Sequence, residues 1–155
     1  MALVLTEEQQ LLRDTATQFF QERVGIQNLR KLRDEKDETG FDRAIWKEMA
    51  DLGFAGIMIS EKYGGTEFGP VGLGLVLEQA GRVLAATPLV STVLLCGSAI
   101  QLAGSANQRQ ELLTAIAAGN LMIIGDGYYT GRVTPRKLVG HLRGRSWHER
   151  DAFAG

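Results

Sequence analysis

Cysteine is almost absent. Cys96 stands alone in 155 residues, so no intramolecular disulfide can form. That scarcity fits a reducing compartment, and the expected location is cytoplasmic. Cys96 sits in the apolar run Val93-Leu94-Leu95-Cys96, where the expected role is a small buried hydrophobe rather than a nucleophile. An excess of one charge is also lacking. A formal net charge of −1 gives no pull towards nucleic acid or an anionic membrane. No apolar stretch is clean enough to span a bilayer. Residues 83–103 come nearest, but Thr87, Pro88, Ser91, Thr92, Ser98 and Gln101 interrupt them, which suits a core helix instead. Met1-Ala2-Leu3 opens no basic region followed by an apolar core, so no signal peptide is expected. The two histidines, His141 and His148, have no further ligands nearby, and no metal site is expected.

What remains is the composition of an ordinary globular domain, 45% hydrophobic and 23% charged. Residues 1–119 hold 11 basic and 15 acidic side chains, whereas 120–155 hold 6 basic and 3 acidic ones. The end of the chain is thus a different composition joined to the first part.

Six helices can be read from caps and spacing. Thr6-Glu7-Glu8-Gln9 forms a capping box, and Leu11, Leu12, Thr15, Ala16 and Phe19 follow as an apolar stripe closing near Gly25. A charge-rich segment from Ile26 to Glu38 has Ile26, Leu29 and Leu32 as its ridge. Asp42 caps a third helix that turns Ile45, Trp46, Met49 and Leu52 inward before Gly53. Pro70 opens a fourth that runs to about Leu84. Gly72 and Gly74 inside it each cost about 1 kcal/mol against alanine, which predicts close helix–helix approach. Thr87-Pro88 opens a fifth ending at Gly104, and Ser105-Ala106-Asn107-Gln108 caps a sixth carrying Leu112, Leu113 and Ile116 to Gly119. The expected fold is all-α, an orthogonal bundle of about six helices.

After Gly119 the pattern changes. Leu121 to Ile124 reads as a short strand, Gly125-Asp126-Gly127 as a turn and Tyr128-Tyr129 as the start of a returning strand. Residues 131–155 have no sustained period and read as an irregular basic tail, with Arg132, Arg136, Lys137, Arg143 and Arg145 solvated. Two glycine pairs invite a phosphate-loop reading. Gly64-Gly65 lacks the lysine and spacing of such motifs, so a structural turn is expected, and Gly125-x-Gly127 lacks the third glycine.

One combination is more specific. Trp46, Leu52-Gly53, Gly56-Ile57, Glu61, Gly64-Gly65, Glu78 and Gly81-Arg82 resemble, in order and spacing, the N-terminal helical domain of the acyl-CoA dehydrogenases. The resemblance covers roughly residues 1–121, with Ser60 standing where the family usually places proline. It divides the chain into a helical domain at 1–120, the start of a β-domain at 121–130 and the tail at 131–155. From Gly125 onward no counterpart of the family's flavin-contacting segment follows, and neither Glu149 nor Asp151 matches its catalytic glutamate.

The resemblance implies a truncated domain of an FAD-dependent oxidoreductase acting on acyl-CoA, inactive by itself. It implies no catalytic or flavin-binding residue in this chain. The family's partners would be acyl-CoA and an electron-transfer flavoprotein. The alternative is a non-catalytic partner subunit, or a helical module that completes the acyl pocket of a flavin-bearing protein. Self-association is expected from surfaces left open on the fourth and fifth helices. On the fifth helix the resemblance implies an acyl-pocket floor. Thr87, Ser91 and Leu95, four apart, are the substrate-facing candidates.

Overall fold

The computed structural model describes residues 4–36 and 40–123. Helix α1 spans Glu7–Arg23, α2 Ile26–Asp34 and α3 Arg43–Asp51. A single 3₁₀ turn at Glu61–Tyr63 precedes α4, Gly69–Arg82. Helix α5 opens as a π-helix, Leu89–Gly97, and continues as α-helix through Ser98–Ala103. Helix α6 runs as Ala106–Gln108, a π-segment Arg109–Leu113, and Thr114–Ala117. The architecture is an all-α bundle.

The caps are where their chemistry requires. Thr6 and Gln9 exchange side-chain hydrogen bonds with each other's backbone amides, at 3.2 and 3.1 Å, and Ser105 and Gln108 repeat the arrangement. Asp42 accepts from the amides of Ala44 and Ile45. At the other end of the bundle, α3 closes α6. The Trp46 indole donates to Gly119 O at 3.1 Å, and the Lys47 ammonium donates to Ala118 O, a favourable place for a cation. Gly119 has φ +70°, and a Cβ there would sit 2.5 Å from the Ala50 methyl.

Two contiguous cores result. One joins α1, α3, α4 and the start of α5 through Phe19, Phe20, Trp46, Met49, Leu73 and Val76. In it Phe54 meets Phe19 edge-on and lies stacked 6.2 Å from Phe20. The other joins the end of α5 to α6 through Cys96, Ile100, Leu113 and Ile116.

Several expectations need correction. Leu11 is 70% exposed, and Phe20 takes its place on the buried stripe, because α1 packs on α4 along a face rotated from the expected one. Leu52 caps α3 and is 44% exposed, since the helix has already ended. Helix α2 stops at Asp34, and Lys36 takes a positive φ. Helix α4 stops at Arg82, with Leu84 exposed at positive φ. Gly72 is crowded as predicted: a Cβ there would lie 2.5 Å from Phe68 Cβ and 3.3 Å from the Leu12 side chain. Gly74 instead faces open space.

The expected strand does not form over 121–123. A strand needs a ladder, and the backbone of Ile123 is taken by a side chain instead. The Thr92 hydroxyl accepts from Ile123 N at 2.9 Å and donates to Ile123 O at 3.0 Å. The turn, the returning strand and the basic tail lie outside the described residues.

Candidate functional site

Between α3 and α4 the chain makes a glycine-rich loop, residues 53–69, that seals one side of the core. Several of its amides bond within the loop. Gly64 N donates to Glu61 O, Gly65 N to Ser60 O, Thr66 N to Gly56 O and Glu67 N to Ile59 O. A Cβ on Gly65 would drive into the Ile59 carbonyl. Glycine is there for close backbone approach. Those four amides are therefore not available to a phosphate.

Helix α5 carries the candidate face. Thr87 precedes the helix, and its hydroxyl accepts from Leu89 N at 3.3 Å. The Ser91 hydroxyl donates to Pro88 O at 3.1 Å. Both side chains are half-buried, and Leu95 is 44% exposed. In the π-segment, hydrogen bonding five residues back widens the turn, so residues four or five apart share a face. Ser91 and Leu95 are thus neighbours, with Thr87 at the head as a cap rather than as a helical residue. Val90, Ala99 and Leu102 extend this open side, while Leu89, Thr92, Val93, Cys96 and Ile100 are buried. Burial raises the Cys96 thiol above its ordinary range, so a buried hydrophobe is its observed role.

Spacing alone singled out the open face and missed Thr92, fully buried one residue further on. A lone threonine among Leu and Val gives no signal of its partner, which lies 31 residues away at Ile123. Gln79 was missed as well. It interrupts the buried ridge Leu73, Val76, Ala80 of α4, and that polar break was visible in the sequence.

No described helix is long and apolar enough to cross a membrane. Among the described residues no group of acidic, histidine or cysteine side chains is placed to hold a metal ion.

A family profile described as acyl-CoA dehydrogenase, N-terminal domain, matches residues 6–120. The chain belongs to the acyl-CoA dehydrogenase family. It is similar to a probable acyl-CoA dehydrogenase, YngJ, of Bacillus subtilis, with 30% identity over 125 residues, 79% of this chain and 32% of that protein. Mitochondrial isovaleryl-CoA dehydrogenase of Bos taurus is 32% identical over 117 residues, 74% of this chain and 27% of that protein. Among solved structures, a steroid acyl-CoA dehydrogenase variant, Tcur3481-Tcur3483, superposes with a TM-score of 0.68 at 34% identity over 75% of this chain and 31% of that one. The ChsE4-ChsE5 complex of Mycobacterium tuberculosis gives 0.69 at 28% identity over 79% of this chain and 33% of that one. The chain spans about a third of the length of these relatives.

Proposed function

We propose that these residues form the acyl-facing helical wall of an FAD-dependent acyl-CoA dehydrogenase, and that desaturation requires polypeptide beyond the 155 residues. The observation that carries this reading is the open side of α5. There Thr87, Ser91 and Leu95 stand partly exposed in a stretch that matches the family's N-terminal domain.

Desaturating an acyl thioester needs a base at the α-carbon and a hydride acceptor at the β-carbon, both held around one bond. The flavin supplies the hydride acceptor when it is bound. Glu48 and Glu78 are held in ion pairs by Arg23 and Arg82, which takes both out of the role of a free base. The wall's part is to bind and orient the acyl chain while excluding water. FAD, acyl-CoA and an electron-transfer flavoprotein are then properties of the assembled cytoplasmic enzyme. In this reading the helical domain occupies 1–120, residues 121–130 correspond to where the family's β-domain starts, and 131–155 are the tail.

A second reading, a non-catalytic subunit that completes a flavoprotein's pocket, is favoured by the exposed apolar row Val90, Leu95 and Leu102. A pulldown with this chain as bait separates the two, since recovery of a flavoprotein favours the subunit.

The wall itself is tested in the assembled enzyme. Ser91→Phe and Leu95→Trp are expected to lower kcat/KM for long acyl chains by about tenfold, roughly 1.4 kcal/mol, while sparing short ones. An unchanged chain-length profile would remove the wall. A purified 155-residue chain that retains flavin and oxidises acyl-CoA would overturn the division of labour.

A further inference from the structure

Helical serine and threonine hydroxyls ordinarily turn back on their own helix and bond a carbonyl three or four residues behind. Thr17 does so on Arg13 O at 2.8 Å, and Ser91 on Pro88 O. Thr92 does not. Its fully buried hydroxyl leaves α5 and holds both backbone groups of one residue 31 positions away. It accepts from Ile123 N at 2.9 Å and donates to Ile123 O at 3.0 Å.

The clamp sits on the seam between the two cores. On α5, Val93 beside Thr92 belongs to the first core and Cys96 to the second. The segment leaving the bundle straddles the same seam. Met122 packs on the first core, while Leu121 and Ile123 pack in the second. Leu121 N also donates to Ala115 O at 3.1 Å. A segment with no ladder has no partner strand to set its register, and a hydroxyl that holds both groups of Ile123 sets it instead. Ser91 and Leu95 lie on the same π-segment, Leu89–Gly97, as Thr92. The side chains read as facing the acyl group and the one that fixes the chain's exit thus share one rigid element.

We propose that Thr92 is a positioning residue. Through Ile123 it sets how far the polypeptide that follows stands from the open side of α5, and so how much acyl chain the enzyme admits. This rests on the reading of α5 as the acyl-facing wall.

Two variants separate positioning from plain stability. Thr92→Val keeps the shape and removes the hydroxyl, whereas Thr92→Ser keeps the hydroxyl and removes a buried methyl. Both lower stability, but only the first releases Ile123. The first readout is 15N relaxation of the labelled 155-residue chain, well below its Tm. Order parameters of Leu121, Met122 and Ile123 are expected near about 0.85 in the parent and Thr92→Ser, and below about 0.6 in Thr92→Val. The second is the assembled enzyme. There Thr92→Val is expected to change the ratio of kcat/KM for long over short acyl chains several-fold, and Thr92→Ser to keep the parental ratio. Order retained in Thr92→Val, or lost equally in Thr92→Ser, overturns the proposal. So does a parental ratio in Thr92→Val where Ser91→Phe and Leu95→Trp alter it, a result that leaves the wall standing. If those two variants also leave the ratio unchanged, the wall itself has failed and the proposal falls with it.

Discussion

Thr92 shows how much one buried hydroxyl can decide. It satisfies both the N–H and the C=O of Ile123, so it holds the segment that leaves the bundle against α5. Thr92→Val keeps the shape and removes both bonds. The expected loss is about 2 kcal/mol, the usual penalty for orphaned buried backbone groups, read by chemical denaturation. A loss below a few tenths would show that Ile123 finds other partners. Glu48 works at the surface and is set by pH. The hydrogen bond from Arg23, at 2.6 Å to the nearer oxygen, holds its carboxyl below the ordinary value of 4.5. A depressed carboxyl contributes stability in full above its ordinary value, and that stability is lost as pH falls through the lowered one. Glu48→Gln is thus expected to be less stable than the parent at neutral pH, with the gap closing in strong acid. A gap that stays constant into strong acid would contradict this. Both residues lie beyond what local pattern can reveal, because Thr92 and Arg23 act on partners 31 and 25 positions away.

Among the elements, the caps were legible because their partners lie three residues apart, within one turn, and no tertiary contact is needed to form them. The glycines of α4 were only half legible. Composition priced Gly72 and Gly74 alike, but only the neighbour of Phe68 and Leu12 is crowded. Gly74→Ala is therefore expected to stabilise the chain by about 1 kcal/mol, and Gly72→Ala to destabilise it by about 1–3 kcal/mol. Opposite shifts in Tm would bear this out, whereas shifts of the same sign would mean that α4 does not pack as described. The face of α5 lay between these cases. Spacing found Ser91 and Leu95, while the π-turns, which apolar periodicity does not encode, brought Val90 beside them.

At the scale of the whole molecule, the open side of α5 is the main imbalance. Val90 and Leu95 are each nearly half exposed, and Leu102 is 88% exposed. Scattered exposed leucines are ordinary, but a row along one helix favours association. Concentration-dependent self-association is expected in sedimentation, and Leu95→Asp with Leu102→Asp should shift the population towards monomer. A parent chain that stays monomeric at high concentration would remove this expectation.

The sequence by itself determined the helical class, the capped starts of the helices, the tight glycine loop and the family. All four rest on interactions a few residues long or on an ordered motif. Only the tertiary structure decided which side of each helix is buried. It exchanged Leu11 for Phe20, freed Gly74 and tied Ile123 to Thr92 in place of a strand. The physical reason is that burial and hydrogen-bond partnership are pairwise properties of surfaces far apart in the chain. A helix's own spacing leaves its rotation against a neighbour open by one residue, and packing closes that choice.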